Sequence, residues 1–455
     1  MGKSLEEMCR LVTGDGAWHI GNIHVSDGPH GIRAQEDGAK NNDSYKATCF
    51  PTASSTACSW NRELIGKMAE GMASEAKELG VSVVLGPGIN IKRSPLCGRN
   101  FEYYSEDPFL AGELAVAYIC AMQTNGVGTS LKHFAGNSQE THRMTSNSMI
   151  DERALHEIYL SAFEKTVKCA KPATVMASYN YLNGVPACEN YELLTDILRK
   201  QWGYEGLVMS DWGACVDLPA CIAAGMDVEM PDSCGNHFNE LLEAAKKNRR
   251  LEQAIRTSVY RIEKLVAAYG KNRIEKKEVK CVSEQTRNHN HELARRIEEE
   301  SAVLLKNDSF FPLKDIGEIL LIGDLADKPR IQGGGSSHIH TDRVDNFIEE
   351  FDYGKNLQND YSPYTLLRLF IDQDFIQEKK VIYLDADTML NDDINKLYSI
   401  DISEYEYASS LDYMGSFFIH ENYCNAGVLL INVEKIKKTQ LFCKCRKYIY
   451  THKMI

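Results

Sequence analysis

The sequence predicts an α/β protein whose larger part is a (β/α)8-type TIM barrel. Between residue 23 and about residue 270, short apolar runs alternate with amphipathic stretches of helical periodicity. The strand-like runs are, in order, IHVSD, VSVVLGPGIN, VGTSLKHF, ATVMASYN, GLVMSD and AGMDVEM. This alternation predicts parallel strands joined by helices, and the length of the region suits a barrel. A doubly wound open sheet shares the pattern, but no glycine-rich phosphate-binding motif follows the first strand.

Three further segments are predicted after the barrel, which is assigned to residues 1–270. A charged linker and a helix are expected over residues 271–300, because KNRIEKKEVK precedes a helical pattern. The apolar runs AVLL and EILLIGD predict the truncated start of an α/β sandwich domain over residues 301–352. A polar, turn-rich stretch, DYGKNLQND, places the last boundary there, so that residues 353–455 form a separate α/β segment.

Composition limits the classes of function that the chain can have. Its 455 residues suffice for two or three domains, and its net charge of −13 without a basic stripe argues against a nucleic-acid partner. No apolar run reaches the length of a membrane span, and the first residues lack the apolar core of a signal peptide, so we expect a cytoplasmic protein without a membrane partner. The 14 cysteines are then expected to be reduced thiols.

Charged and aromatic residues follow the predicted barrel strands at the points where the strands end. In a barrel, these loops all lie on the face that carries active sites. Charged groups can hold the hydroxyls of a polyol, and Tyr and Trp rings pack on the apolar faces of a sugar. Each residue alone has an ordinary alternative, such as a turn, an ion pair or a core position, but their convergence favours a site. The residues are Asp27, the stretch from Arg99 to Asp107, Lys132, His133, Tyr179, Asn180, Asp211 and Trp212.

The segment GLVMSDWGA, residues 206–214, is the most informative of these strand ends. A short apolar run predicts a buried strand, which ends in Asp211 beside Trp212. A carboxylate at this point is where a barrel enzyme holds a nucleophile against a sugar. The alternative is that Asp211 caps the next helix, which is a common use of aspartate after a strand.

Six motifs occur along the chain in the order VSDGPHGIR, FPTASSTACSWN, GPGINIKRSPLCGRNFEYYSEDP, LKHFAGNSQETHRM, MASYNYLNGVPAC and GLVMSDWGA. Through them, residues from about 4 to about 350 resemble glycoside hydrolase family 3, in the branch that contains β-glucosidases. The resemblance implies a β-glucoside or related oligosaccharide as substrate, no cofactor, and Asp211 as the nucleophile that forms a covalent glycosyl-enzyme. It also implies that Trp212 lines the pocket. The residues that it implies for the sugar hydroxyls are Asp27, Arg99, Lys132, His133, Arg143 and Tyr179.

The same resemblance leaves the general acid/base unassigned. Retaining hydrolysis needs two carboxyl groups roughly 5–5.5 Å apart, one as nucleophile and one as acid/base. In the β-glucosidase branch the resemblance places the acid/base on a glutamate of the sandwich domain, but the likeness stops near residue 351, before that glutamate. Another branch uses a His–Asp pair after KHF; the sequence GNSQETHRM lacks that arrangement, so His142 is favoured as a surface or structural residue. We therefore expect a nucleophile and a sugar pocket without an acid. The basic residues expected to keep Asp211 ionised are Arg99, Lys132 and His133.

The last hundred residues carry the motifs YSPYTLLRLF, KKVIYLDADTMLNDDINKLYSIDI and YCNAGVLLINVEKIKK. Through them, the segment from about residue 361 resembles glycosyltransferase family 8, whose members have a GT-A-like fold and use nucleotide sugars. The resemblance implies that Asp385 and Asp387 bind Mn²⁺ or Mg²⁺, and carboxylate oxygens suit those cations. A bare Asp-x-Asp is more often a solvated turn. The likeness is partial, because the family's opening strand and its downstream histidine are absent, and we expect exposed strand edges and apolar surface in residues 301–455.

The length of matched sequence orders three hypotheses of function. The first is a retaining β-glycosidase of the β-glucosidase type, impaired by loss of its acid/base domain. The second is a nucleotide-sugar-dependent, metal-assisted glycosyltransferase carried by the C-terminal segment. The third is a catalytically dead sugar-binding barrel. The motifs do not distinguish β-glucosidases from β-xylosidases and related enzymes.

Overall fold

A computed structural model describes residues 2–14, 16, 18–35, 44–272, 281–308, 323–326, 328–346, 378–384, 394–411 and 424–445. The chain forms two compact units. The first comprises residues 1–307 and 331–343, and the second comprises residues 308–330 and 344–455.

The first unit is built around a curled, mixed sheet of six strands. The strands of this unit are β1 (His19–Ile20), β2 (Ile23–Asp27), β3 (Val83–Leu85), β4 (Gly128–Phe134), β5 (Asn147–Ser148), β6 (Thr174–Ala177), β7 (Tyr181–Leu182), β8 (Val185–Pro186) and β9 (Leu207–Ser210). The large sheet has the order β1-β2-β3-β4-β6-β9, in which β1 is antiparallel to β2 and all the others are parallel. Every residue of its five parallel strands is buried, as expected for strands that are covered on both faces. The predicted run AGMDVEM adds one parallel bridge, from Met209 to Val228. The arrangement confirms the predicted barrel-like α/β fold.

Helices connect the strands and cover the outside of the sheet. The α-helices are α1 (Leu5–Val12), α2 (Ala53–Thr56), α3 (Arg62–Glu78), α4 (Pro108–Thr124), α5 (Glu152–Ala154), α6 (Ser161–Ala170), α7 (Leu218–Ala224), α8 (Asn236–Lys247), α9 (Arg249–Tyr269) and α10 (Glu284–Ser301). Two π-helical segments cover Leu155–Tyr159 and Glu192–Gln201. Local sequence sets several of the starts: the Asn61 side chain caps α3, Asp107 caps α4 ahead of Pro108, and Asn248 caps α9.

A small sheet of order β5-β7-β8 joins the loop that follows β4 to the loop that follows β6. The Asn147 side chain strengthens this joint by accepting a hydrogen bond of 2.9 Å from the backbone N–H of Gly184. The loop after β4 is thereby held beside the loop after β6.

Two segments that follow the barrel in sequence pack on the first unit. Helix α10, which was assigned with a linker, packs on α3, where Asn290 Nδ2 donates to Glu75 Oε1 over 3.0 Å. Residues 331–343, which were assigned to a separate sandwich domain, also belong to the first unit. There Ile339 is buried against Gly31, and the backbone N–H of Ala47 donates to His340 O over 2.9 Å. Buried apolar surface and backbone hydrogen bonds between residues about 290 positions apart decide this packing, and neither is visible in local periodicity.

A buried ionic network ties strand β9 to the surrounding helices. Asp227 is fully buried and accepts hydrogen bonds from Arg199 Nη2 (2.6 Å), Arg261 Nη1 (2.8 Å) and Ser258 Oγ (2.9 Å). The backbone N–H of Val208, in β9, also donates to this carboxylate over 2.8 Å. The negative charge of this one carboxylate thus balances the positive charges of two largely buried guanidinium groups.

Replacing Asp227 by alanine is expected to lower the free energy of unfolding of the first unit by about 3–5 kcal/mol, because two buried cations lose their counter-ion. Urea unfolding followed by tryptophan fluorescence measures this unit alone, since all four tryptophans lie within it. Asp196→Ala is the matched control: its 2.7 Å pair with Lys200 is largely exposed, and its loss should cost no more than about 0.5 kcal/mol. Equal effects of the two substitutions would contradict the proposed role of the network.

The described part of the second unit contains a three-stranded antiparallel sheet. Its strands are β10 (Lys380–Leu384), β11 (Tyr407–Leu411) and β12 (Cys424–Asn432), with β12 in the centre, and its helices are α11 (Ile394–Tyr398) and α12 (Val433–Thr439). A small core forms between β12 and α12 from Leu429, Ile431, Val433, Ile436 and Phe442. Asp385 and Asp387, the predicted metal ligands, lie outside the described residues.

None of the helices in the described ranges is both long enough and apolar enough to cross a membrane. The described cysteines are free thiols.

Candidate active site

A cavity of about 520 Å³ opens at the carboxyl ends of the parallel strands in the first unit. All eight residues that the sequence assigned to a sugar site line this cavity. They are Asp27, Arg99, Lys132, His133, Arg143, Tyr179, Asp211 and Trp212. The parallel strands bring together residues that are up to 185 positions apart, because their carboxyl ends share one face of the sheet.

Asp211 follows β9 directly and is buried, with 6% of its surface exposed. Its Oδ1 accepts a 2.8 Å hydrogen bond from the backbone N–H of Trp212, whereas its Oδ2 has no hydrogen-bond partner. The helix-cap alternative for Asp211 is wrong, because the next helix, α7, is capped by Asp217, whose side chain accepts from Ala220 N. One oxygen is therefore positioned by the backbone and the other is free to react.

Burial raises the pKa of Asp211 above its ordinary value, against the opposing charge of Arg99, the backbone N–H of Trp212 and the charge of Lys132. The sequence predicted that Arg99, Lys132 and His133 are three cations that keep Asp211 ionised. That prediction is wrong for His133. Burial, together with the charges of Arg99 and Lys132, lowers the pKa of His133 well below its ordinary value, so this ring is neutral. Two basic residues, not three, oppose the effect of burial on Asp211.

The hydrogen bonds of His133 indicate which of its nitrogens carries the proton. Arg99 Nη2 lies 2.8 Å from His133 Nε2, and because a guanidinium can only donate, Nε2 is the acceptor. The proton of the neutral ring is then on Nδ1, which lies 3.1 Å from the Tyr103 hydroxyl. His133 Nε2 is also 3.6 Å from Asp211 Oδ2. In this tautomer the contact is not an ion pair, and His133 serves to hold Arg99 beside the carboxylate.

Glu102 holds two of the cations that line the cavity, Arg99 and Lys132, in place. It is buried, forms an ion pair with Arg99 Nε, and has its Oε2 at 3.5 Å from Lys132 Nζ. Burial acts to raise the pKa of Glu102, but Lys132 and Arg99 lower it below its ordinary value, so this carboxyl group is ionised. The motif GRNFEYYSEDP placed Glu102 near the site, but sequence reasoning assigned it no role. Arg99 is only three residues before Glu102, whereas Lys132 lies in β4, so the fold is needed to reveal the second ion pair.

Asp27 is the last residue of β2 and also lines the cavity. Its Oδ2 is 3.4 Å from Arg33 Nη1, and both side chains are buried. Burial raises the pKa of Asp27 to about 6, against the opposing charges of Lys132 and Arg33. Arg33 also donates to the carbonyl oxygen of Ser336 over 3.0 Å. This contact joins Asp27 to the segment 331–343, which forms part of the cavity wall.

Aromatic rings form the apolar wall of the cavity. Trp212 packs on Trp18 with ring centroids 5.2 Å apart and an angle of 38° between the planes. The Tyr179 hydroxyl donates to Trp212 O over 3.0 Å, and the Arg143 guanidinium lies 4.4 Å above the Tyr179 ring. Arg143 is in turn held by Glu140, whose Oε2 is 2.8 Å from Arg143 Nη1. Rings beside charged donors suit a ligand with apolar faces and hydroxyl edges.

Sequence reasoning missed several residues that line the cavity besides Glu102. They are Trp18, Arg33, Gln35, Gly98, Met176 and the run from Gly334 to Ser337. The glycine-rich run GGGSS was a usable signal, because a side chain at Gly333 would place its Cβ 2.5 Å from the Phe101 ring. His142, by contrast, is exposed and does not line this cavity.

Comparison with protein-family models gives two matches. Residues 32–265, just over half of the chain, match the N-terminal domain of glycosyl hydrolase family 3. Residues 327–454 match glycosyl transferase family 8. The second match begins about 34 residues before the point at which the sequence motifs of that family begin.

Relatives of known name share the first of these matches. The thermostable beta-glucosidase B of Acetivibrio thermocellus is 44% identical over an alignment of 392 residues, which covers 83% of this chain and 51% of that protein. An exo-alpha-(1->6)-L-arabinopyranosidase of Bifidobacterium longum is 40% identical over 79% of this chain and 49% of its own length. This chain spans about half the length of the curated relatives that it matches.

Solved structures show the same likeness. The GH3 beta-glucosidase of Bifidobacterium adolescentis is 43% identical, with a TM-score of 0.67, over 76% of this chain and 50% of that one. The beta-glucosidase 3B of Thermotoga neapolitana, in complex with alpha-D-glucose, is 33% identical, with a TM-score of 0.68, over 77% of this chain and 53% of that one.

Proposed function

The chain belongs to glycosyl hydrolase family 3, and we propose on this basis that its first compact unit is a retaining β-glycosidase of the β-glucosidase type. The observation that carries the proposal is the hydrogen bonding of the two carboxylate oxygens of Asp211. Its buried carboxylate has one oxygen held by a backbone N–H and the other without a hydrogen-bond partner, in a cavity lined by cations and aromatic rings.

In the proposed reaction, Asp211 Oδ2 attacks the anomeric carbon of the sugar while the bond to the leaving group breaks. The product of this step is a glycosyl ester on Asp211, and the leaving group departs with the bonding electron pair. Water then attacks the same carbon and releases the sugar with its original anomeric configuration. Arg99 and Lys132 oppose the effect of burial on the carboxylate, which must be ionised to attack.

The remaining polar groups are proposed to hold the hydroxyls of the sugar. Lys132 and Arg143 present cationic donors, and Asp27, when it is ionised, presents an acceptor. The indole N–H of Trp212 has no hydrogen-bond partner, which leaves a further donor for a hydroxyl or a ring oxygen. Trp212 and Trp18 would pack on an apolar face of the ring.

Names and complexes of the relatives support a glycoside as substrate. Several relatives are named beta-glucosidases, and beta-glucosidase 3B has been solved with glucose bound. A relative named exo-alpha-(1->6)-L-arabinopyranosidase supports a broader range of pyranosides. We propose β-glucosides as the primary substrate class, with related pyranosides as a second class to be compared.

Hydrolysis of 4-nitrophenyl β-D-glucopyranoside by the full chain tests this proposal, with the product anomer identified by proton NMR. The expected first product is β-glucose, since a double displacement retains configuration. The α-linked 4-nitrophenyl glucoside serves as the matched control and should not be cleaved. Initial formation of α-glucose would contradict the proposed mechanism. Glucose binding without turnover of either substrate would instead support a dead sugar-binding barrel.

The C-terminal segment supports a second candidate function, nucleotide-sugar-dependent glycosyl transfer with Mn²⁺ or Mg²⁺. The observation in its favour is the match of residues 327–454 to glycosyl transferase family 8. Strand β10 immediately precedes the proposed metal ligands Asp385 and Asp387, as an Asp-x-Asp motif at a strand end requires.

A further inference from the structure

A cluster of potential metal ligands lies beside the loop that follows β9 and carries Asp211. It lies outside the cavity that contains Asp211, which is called the sugar cavity below. Ligand atoms of Cys215, Glu229 and His237 all lie within 4.8 Å of one another. A second thiol, that of Cys221, has its Sγ 3.6 Å from the Sγ of Cys215. None of the four residues lines the sugar cavity, so the proposed glycosidase reaction does not account for the cluster.

We propose that Cys215, Glu229 and His237 form a binding site for Zn²⁺. Thiolate and imidazole ligands select zinc over magnesium or calcium, and one carboxylate is compatible with such a set. The ligands come from three elements: Cys215 from the loop after β9, Glu229 from the segment that leads into α8, and His237 from α8 itself.

The environment of these side chains fits a largely enclosed metal site with one open side. Cys215, Cys221 and Glu229 are buried, with 7%, 0% and 2% of their surface exposed. The His237 side chain is 21% exposed and offers a path for an ion to enter. Because the protein encloses these side chains, several of them can hold one ion at the same time.

Without a metal, hydrogen bonds within the cluster satisfy these groups. His237 Nδ1 is 2.6 Å from Glu229 Oε2, and Ser233 Oγ donates to Glu229 Oε1 over 3.2 Å. Zinc ligands of these two types are about 3.3 Å apart, so the ring and the carboxylate need to separate by less than 1 Å. The hydrogen bond to Cys221, together with burial, raises the pKa of the Cys215 thiol well above its ordinary value.

Zinc at this position would stiffen the loop that carries the nucleophile. Cys215 is four residues after Asp211, and the backbone N–H of Gly213 donates to Met230 O over 2.8 Å, next to Glu229. Ser210 Oγ is also hydrogen-bonded to both backbone groups of Met230. The ion would add a link from this loop to helix α8, beside the hydrogen bond between His237 and Glu229.

Metal titration of the full chain tests the proposal independently of any hydrolytic activity. The chain is stripped with a chelator and titrated with Zn²⁺ alone, and then with Co²⁺ alone, whose absorption reports thiolate ligation through a charge-transfer band. We expect one zinc ion that depends on the cluster, and a cobalt–thiolate band. Cys215→Ser and His237→Ala are expected to lose that ion, with affinity reduced by more than about a hundredfold. The exposed Cys234, three residues before His237, supplies the control Cys234→Ser, which should bind as the parent does.

Each outcome of the titration decides for or against the site. Loss of the ion and of the thiolate band in both cluster variants, but not in Cys234→Ser, supports it. Equal zinc stoichiometry in all four proteins, or cobalt binding without a thiolate band, overturns it. The partly exposed His237→Ala variant keeps the test informative if Cys215→Ser fails to fold. Any divalent cation bound by carboxylates of the C-terminal segment gives no thiolate band and is thereby distinguished.

Discussion

Replacing Asp211 by alanine is expected to reduce kcat for 4-nitrophenyl β-D-glucopyranoside by at least about a thousandfold, or about 4 kcal/mol in activation free energy. Asp211 Oδ2 is proposed to form the covalent bond to the sugar, and alanine has no atom that can replace it. Sugar binding should survive, because the groups proposed to hold the hydroxyls are separate side chains with their own ion pairs. Steady-state kinetics and calorimetry with glucose measure the two effects.

Asp217→Ala is the matched control for this substitution. Asp217 lies on the same loop, is exposed, and caps helix α7 through the backbone N–H of Ala220. Its loss should lower stability by about 1 kcal/mol and leave kcat within about twofold of the parent. If the Asp211→Ala variant keeps more than a tenth of the parent activity, Asp211 is not the nucleophile. If the parent binds glucose but has no activity to lose, the sugar-binding barrel becomes the better explanation.

The second large effect is expected in the dependence of rate on the leaving group. The carboxyl groups that line the cavity in the described ranges are Asp27, Glu102 and Asp211. Asp27 faces Arg33, and Glu102 is paired with Arg99 and Lys132, so neither is free to donate a proton to a leaving oxygen. A nitrophenolate leaves without a proton, whereas the alkoxide of a natural disaccharide does not, and acid assistance typically contributes about 10²–10⁴-fold.

We therefore expect the ratio of kcat/KM for 4-nitrophenyl β-D-glucopyranoside to that for cellobiose to exceed the ratio of a full-length relative by about 10²–10⁴-fold. A series of aryl β-glucosides with increasing phenol pKa gives the slope that measures this dependence. The beta-glucosidase B of Acetivibrio thermocellus, which is 44% identical, is a suitable reference. Equal ratios for the two proteins would show that this chain has a working acid that the cavity residues do not supply.

The two experiments report on different atoms and do not depend on each other. Asp211→Ala tests the group that forms the new bond, and the leaving-group series tests the proton that goes to the departing oxygen. A chain that fails the first test has a different nucleophile. A chain that passes the first and fails the second has an acid in a position that the structure does not describe.

Sequence patterns predicted the barrel strands well because a buried parallel strand needs a nearly continuous apolar run. The runs IHVSD, VGTSLKHF and GLVMSD correspond to β2, β4 and β9. The run AGMDVEM contributes only an isolated bridge, and the backbone N–H of Val208 beside it donates to the Asp227 side chain. Boundaries after the barrel were less predictable, because the packing of residues 331–343 depends on partners near residues 31–47.

The sequence alone placed eight residues at the cavity, because a residue at or after the end of a parallel strand is placed by that strand's position in the sheet. All eight predicted residues line one cavity for this reason. Only the tertiary structure decided how these residues are charged and held. Three features depend on distances of a few ångströms between side chains that the fold brings together. They are the neutral state of His133, the pairing of Glu102 with two cations, and the Cys215–Glu229–His237 cluster. Electrostatic interactions and metal coordination vary steeply over such distances, whereas the apolar periodicity that specifies a strand is set within a few neighbouring residues.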